Sequence, residues 1–206
     1  NDITPNWEFV GLEDARVMRW DGKLFISGVR RDIKNDGEGR MELCEIDWTD
    51  DHCKEVTRDR IQPPTHSYLE KNWMPILDMP YHYIKWTNPL EIVKVDPTQK
   101  KKEQAPNGEI TVIPSEVAIT KEFFIPDIRP QRGGSQVIPF KKGRLALLHE
   151  CKFWYNQNEC KDAKYYHRFI YWDKDWNIIK LTEPFKFMDA EVEFGVGLAK
   201  KDNDLL

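Results

Sequence analysis

Acids and bases recur along this chain at an interval of about sixty residues. The marks are Gly11-Leu12-Glu13-Asp14-Ala15-Arg16, Glu70-Lys71-Asn72-Trp73, Arg132-Gly133-Gly134-Ser135 and Glu191-Val192-Glu193-Phe194-Gly195. From Glu13 to Lys71 to Arg132 to Glu193 the steps are 58, 61 and 61 residues. A period of this size points to a modular fold in which every repeat contributes a residue to a shared pocket. Acid, base, base and acid gathered in one place would suit glycosyl transfer. One carboxyl group protonates the leaving oxygen, and cations hold a phosphate or diphosphate, or a second carboxylate activates water. Each motif also has a plainer reading. Glu13, Asp14 and Arg16 can form a surface salt-bridge cluster, Gly133-Gly134 a tight turn, and His149-Glu150 a satisfied pair at a strand end. His167-Arg168, inside an aromatic strand, reads as structural.

The elements that must position these residues are short and β-prone. Thirteen prolines and eleven glycines punctuate the chain and leave little room for helices. Arg16–Trp20, then Asp21-Gly22, then Lys23–Gly28 is a hairpin signal, because Asp-Gly supplies the positive φ angles of a tight turn. Strands over 40–47 and 53–58 complete a first unit. A second begins at Trp73–Ile76 and continues through 81–86, 91–95 and 110–113. The polar stretch 97–108, with Lys100-Lys101-Lys102, is expected to be a solvated, mobile tip. The third unit runs through 136–140, a turn at Lys142-Gly143, 144–150, 165–172 and 177–181. A fourth starts at Glu193. Four short antiparallel strands per repeat is the pattern of a propeller blade. The expectation is an all-β, five-bladed β-propeller of four-stranded antiparallel blades, of which residues 1–206 form a single domain covering about three and a half. The blade units are 13–70, 71–131, 132–190 and a partial 191–206. A β-sandwich is the alternative. The missing blades would come from further sequence or another chain.

Composition narrows the function. A net charge of −4 speaks against a general nucleic-acid binder. No apolar run reaches membrane-spanning length and the N-terminus lacks a signal-peptide pattern, so a cytoplasmic protein is expected. Eight tryptophans are many. They suit either sheet packing or sugar stacking. Cys44 and Cys53, like Cys151 and Cys160, lie nine residues apart. That is too wide for a CxxC motif, and free thiols are expected over cross-hairpin disulfides. Five histidines without HxH or HExxH spacing argue against a catalytic metal, and no phosphate-binding glycine loop of the usual patterns is present.

Four of these motifs resemble a known group. Glu13-Asp14-Ala15-Arg16 followed by a strand looks like the Glu-Asp-Pro-Arg signature of glycoside hydrolase family 130, with Ala15 in place of the proline. That family includes the β-mannoside phosphorylases, and the related family 108 mannosyltransferase-phosphorylases are similar. Lys71-Asn72-Trp73 with Pro75 resembles their Lys-Asn-Trp element, and Gly133-Gly134-Ser135 leading to Leu147-Leu148-His149-Glu150 their glycine-rich segment and His-ending strand. Glu191 to Leu198 resembles their late Glu-containing strand.

The resemblance implies a five-bladed propeller that transfers or phosphorolyses a glycosyl unit, a β-mannoside by preference. Asp14 matches the general acid, assisted by Glu13 and Glu193 as acidic candidates. Lys71 and Arg132 fall where phosphate is bound, and Lys85 matches a further basic position more loosely. His149 would contact phosphate or sugar, and Arg16 would brace the acidic motif through a salt bridge. Asn72, Ser135 and Glu150 complete the candidate binding residues. No cofactor or metal is expected beyond inorganic phosphate as co-substrate. The partners would be an oligosaccharide or sugar phosphate and a further domain or second copy, with no nucleic acid or membrane. Two other functions remain open. A hydrolase would use Glu193 or Glu150 to activate water, and a glycan-binding propeller would have no turnover.

Overall fold

The computed structural model describes residues 8–123, 131–155, 157, 161–190, 192–201 and 204–205. Among them the architecture is all-β, with no helix. The first unit is an antiparallel meander of β1 (Leu12–Trp20), β2 (Lys23–Arg30), β3 (Arg40–Trp48) and β4 (Cys53–Gln62). Asp21 and Gly22 both take positive φ in the turn between β1 and β2, as the Asp-Gly dipeptide requires. The second unit comprises β5 (Met74–Pro75), β6 (His82–Thr87), β7 (Leu90–Val95), β8 (Lys101–Ala105) and β9 (Gly108–Lys121). The third comprises β10 (Gln131–Gly133), β11 (Ile138–Phe140), β12 (Gly143–Tyr155), β13 (Lys161–Asp173) and β14 (Ile178–Leu181). A small hairpin of β15 (Lys200–Lys201) and β16 (Asp204–Leu205) follows.

Two features depart from the sequence reading. The lysine run is not a mobile tip. Lys101 and Lys102 lie in β8, paired with Val112 and Thr111 of β9, while Lys100 bonds Asp59 at 2.7 Å and Lys102 pairs with Glu109 at 2.9 Å. A polar run can form a strand when a long neighbouring strand offers its backbone groups. The second departure concerns β9. Its first half leaves the second unit and pairs in parallel with β4, from Asp59↔Thr111 to Gln62↔Pro114. The first two units therefore share one nine-stranded sheet, curved into a nearly closed, barrel-like wall. Its two ends come together where the Trp20 indole N–H donates to the Ile76 carbonyl at 2.9 Å.

Period-two alternation divides the apolar residues between two cores. Tyr83, Val93 and Val95 of the second unit face Met18, Trp20, Phe25, Val29, Met41 and Leu43 of the first. Ile84, Leu90 and Ile92 instead join Ala146, Leu148, Ile170 and Trp172 of the third. Adjacent Ile92 and Val93 fall on opposite faces by this same alternation, and the bulge beside them places its extra residue, Ala118, in β9. The second unit is thus buried on both sides, which fixes its register strongly. Trp20, Trp73, Trp172 and Trp176 serve these cores, whereas Trp48 and Trp86 are exposed.

The first strands of the three units, with β1 and β5 at the two ends of the nine-stranded sheet, meet one another. Val137 donates to the Pro75 carbonyl and Leu77 to the Val137 carbonyl, at 2.8 and 3.0 Å. Gln136 reaches the Val17 carbonyl at 2.6 Å. This junction brings residues distant in sequence to one end of the molecule.

Candidate functional site

Asp14 sits on a β-bulge. Between Glu13↔Val29 and Arg16↔Ser27 the first strand carries one residue more than its partner, and Asp14 takes φ of 53°. Asp and Asn are among the few residues that tolerate this left-handed region, and bulges re-aim a side chain out of the alternating pattern. Gly28 lies opposite, where a Cβ would stand 2.7 Å from the Glu13 carbonyl oxygen, so the bulge needs a glycine beside it. Asn72 likewise has φ of 62°. Its carbonyl lies over Gly133, where an added Cβ would stand only 2.1 Å from the oxygen. Gly133 therefore permits the close approach of the second and third units rather than forming a turn. That approach places Lys71-Asn72 beside Arg132-Gly133.

Arg16 locks the first unit to the third. Its buried guanidinium donates to the carbonyls of Gly134 (2.7 Å), Gly133 (3.0 Å) and Asp14 (2.5 Å). The expected salt bridge to the acidic motif is replaced by a bracket of backbone oxygens. Burial lowers the Arg16 pKa to about 10, partly offset by the Asp14 charge, so the side chain stays cationic at neutral pH.

Arg132, His149 and His167 stand side by side across β10, β12 and β13. Cross-strand partners point to the same face, so the row runs from exposed Arg132 to two buried imidazoles. His149, 3% exposed, lies mid-strand and not at a strand end. Its ring meets Phe194 edge-on at 4.7 Å between centroids and Tyr165 at 5.8 Å. Burial pushes its pKa down to about 3, and the charges of Arg16, His167, Arg132 and Lys71 push it the same way. His149 is therefore a neutral imidazole among cations. Its Nδ1, with Glu13 Oε1, Asn72 Oδ1 and Gln131 Oε1, is buried without a hydrogen-bond partner among the described residues. Buried polar groups are nearly always bonded, so each exception calls for a partner, and Tyr83, Thr87, Glu91, His167 and Trp172 carry such atoms as well. Tyr165 is the member that sequence reasoning missed. Burial first, then Cys151 and the Asp14 charge, raise its phenol pKa, with Arg132 opposing. Its pairing with Cys151, two residues along the His149 face, is the signal that could have found it.

The remaining candidates are tied into the frame. Ser135 is fully buried, donating to the Gln136 carbonyl and accepting from the Leu147 N–H. Lys85 is buried between Glu91 (3.1 Å) and Glu70 (3.6 Å). Glu150 holds Arg168 at 2.5 Å and accepts from Gln131 at 3.3 Å. Glu193 accepts N–H bonds from Phe187, Met188 and Ala190. Burial alone would raise its pKa, but these bonds and Lys186 outweigh it and hold the group low. Its neighbour Phe194 is the residue that reaches the site, against His149 and, at 5.9 Å, the Arg16 guanidinium. Glu191 and Cys160 lie outside the described residues, among which Cys44, Cys53 and Cys151 are in no disulfide.

The charges of Lys71 and Arg132 act on His149 and that of Asp14 on Arg16 and Tyr165, and none of Asp14, Lys71 and Arg132 has a hydrogen-bonded or ion-paired side-chain partner among the described residues. An anion beside a carboxyl group is what such a set can hold. No group of three or more His, Cys, Asp or Glu among the described residues is arranged to hold a metal ion. No described helix is long and apolar enough to cross a membrane. No protein-family model, curated protein or solved structure matches the chain.

Proposed function

We propose that the chain forms three consecutive blades and the start of a fourth in a five-bladed propeller enzyme that phosphorolyses or transfers a glycosyl unit, a β-mannoside by preference. Support for the propeller comes from the units themselves, whose successive strands pair antiparallel and whose first strands are in mutual contact. The observation that carries the chemistry is the cluster of Arg16, Arg132 and Lys71 around neutral His149, next to Asp14.

In this reading Lys71 and Arg132 hold inorganic phosphate through charge-assisted hydrogen bonds. A phosphate oxygen attacks the anomeric carbon from the face opposite the leaving group. The glycosidic C–O bond breaks, its electron pair passes to the leaving oxygen, and the Asp14 carboxyl group delivers the proton. The products are an inverted sugar 1-phosphate and the shortened acceptor. His149, unable to take a proton near neutrality, would orient phosphate or a sugar hydroxyl through Nδ1. Hydrolysis is less well supported, because the two carboxylates available as base are engaged. Glu150 is held by Arg168, and Glu193 by three backbone N–H groups.

Incubating the protein with β-1,4-mannobiose and inorganic phosphate tests the proposal. Phosphate-dependent formation of mannose 1-phosphate is expected. Free mannose alone at a phosphate-independent rate would replace phosphorolysis with hydrolysis, and binding without product would leave a glycan-binding module.

A further inference from the structure

His149 poses a problem of access. Its Nδ1 is the atom offered to a ligand, yet the residue is buried and that nitrogen is shut off from solvent. A ligand must come in past one of its neighbours. Most of these are fixed. Arg132 and His167 are its cross-strand partners in β10 and β12–β13 pairing, Tyr165 belongs to β13, and Arg16 is bracketed by the carbonyls of Gly133 and Gly134. Core strands open only near the free energy of global unfolding.

The neighbour of another kind is Phe194, whose ring meets His149 at 4.7 Å and lies 5.9 Å from the Arg16 guanidinium. It is carried by residues 192–197, which belong to no strand. Val192 and Val196 are exposed, so burial of its own side chains does little to hold this stretch down. Segments with few buried apolar contacts open at a small part of the global free energy. Polar bonds hold it instead. At the far end the Leu198 N–H donates to Gln136 Oε1 at 3.1 Å. At the near end the buried Glu193 carboxylate accepts from the N–H groups of Phe187 (2.7 Å), Ala190 (3.3 Å) and Met188 (3.4 Å). That turn is tied to the sheet in its own right, because Phe185 exchanges two backbone bonds with His167, at 2.7 and 2.9 Å. Lys186 Nζ and His167 Nδ1 also face the carboxylate, at 3.8 and 3.9 Å. Glu193 is adjacent in sequence to the covering ring. While its bonds last, Phe194 stays on His149.

We propose that residues 192–197 are a lid over His149, with Glu193 as the positioning residue that latches it shut. The proposal rests on the reading of His149 as a ligand contact and deepens it, since inorganic phosphate or a sugar hydroxyl reaches Nδ1 only when Phe194 lifts off the ring. Glu193 then acts through Phe194 and touches no reacting atom.

Diethyl pyrocarbonate, which acylates accessible neutral imidazoles, reads the lid in the intact protein. Peptide mass spectrometry follows His149, with His66, its side chain 78% exposed, as internal standard. A thiol reagent on buried Cys44, in the first unit, measures global unfolding. Wild-type His149 should react far more slowly than His66. Glu193→Ala should speed it about 10- to 100-fold, what losing one hydrogen bond to a charged group does to an opening equilibrium, while Cys44 stays silent. Glu193→Gln, which keeps an acceptor oxygen, should fall between. Phe194→Ala should expose His149 as well, and adding Glu193→Ala to it should change little more, because the latch works through that ring. Equal wild-type rates for His149 and His66, or an unchanged His149 rate in Glu193→Ala, would overturn the lid. Should Glu193→Ala unfold globally, with Cys44 and His149 reacting in step, Phe194→Ala and Glu193→Gln decide. Faster His149 with silent Cys44 upholds the lid, and unchanged His149 overturns it. Inorganic phosphate with β-1,4-mannobiose separates the lid from the ligand reading, and protection of His149 in Glu193→Ala is expected. A latch effect with no such protection would uphold the lid and overturn the ligand reading. Protection in the wild type with no effect of Glu193→Ala would do the reverse.

Discussion

Two charged clusters in this molecule are built on opposite plans. On the first unit, the cluster on β3, β4 and the preceding loop is internally matched. Arg40 pairs with Glu38 at 2.7 Å, Arg58 reaches Glu42 at 3.2 Å and pairs with Glu55, and Arg60 lies 3.6 Å from both Glu38 and Glu42. Around His149 the charges are unmatched, and polar atoms on Glu13, Asn72, Gln131 and His149 itself are left without partners. Composition does not separate the two, since both mix Arg with acidic residues. Completion does. A matched cluster has satisfied its desolvation cost internally and holds strands together, while an unmatched one keeps its bonding capacity for something else.

The sharpest break of this contrast is at Asp14. Asp14→Asn should lower the rate of phosphorolysis about 10²–10⁴-fold, the usual contribution of a positioned acid, with little change in melting temperature. Glu42→Ala should do the reverse. Buried Glu42 faces Arg58 and Arg60, and although burial raises its pKa against the pull of Arg30, Arg60 and Arg58, its removal strands those cations. A loss of about 3–5 kcal/mol in urea unfolding is expected, with activity per folded molecule retained. Equal stability losses in both variants would erase the distinction.

Lys71→Ala and Arg132→Ala should each raise the KM for phosphate about 10- to 100-fold, as loss of a charge-assisted bond would, while unfolding free energy moves by no more than about 0.5 kcal/mol. If instead they destabilise the fold, the central cluster is structural too. An effect confined to acid pH follows from His149. Its folded pKa of about 3 lies below its unfolded value near 6.5. The unfolded chain therefore binds the extra proton, and the stabilisation present above pH 6.5 is lost as pH falls toward 3. His149→Gln should flatten the fall between pH 6.5 and 4 by up to about 1.4 kcal/mol per pH unit, read as the difference between urea curves of the two proteins. Lys102→Ala, in an exposed pair with Glu109, should change stability by less than about 0.5 kcal/mol.

Much of the frame was legible in the chain. Asp21-Gly22 gives its turn, and the short β-prone runs give the core strands, because both follow from local backbone preference. Strand ends were less legible. Here β12 continues to Tyr155 and β13 begins at Lys161, as pairing with each other carries both past their apolar stretches. The loop expected around Lys100 fails for a similar reason, since β9 supplies the hydrogen bonds that polar residues can accept without a core. Spacing singled out Glu13 and Asp14, Lys71, Arg132 and Glu193, and the family resemblance added His149. Neither could separate Asp14, Lys71, Arg132 and His149 from Glu193, Ser135, Lys85 and Glu150, which differ in what their side chains meet.

What the sequence by itself determined is the class of structure and the positions of its marker residues, because alternation, turn chemistry and spacing are local properties of a chain. Only the tertiary structure decided which charges are matched. Arg16 is bracketed by carbonyls of residues more than a hundred positions away, and Glu193 is bound by backbone it shares a turn with. Whether a charged side chain is consumed by its surroundings depends on neighbours brought there by packing, and the order of residues along the chain does not contain that distance.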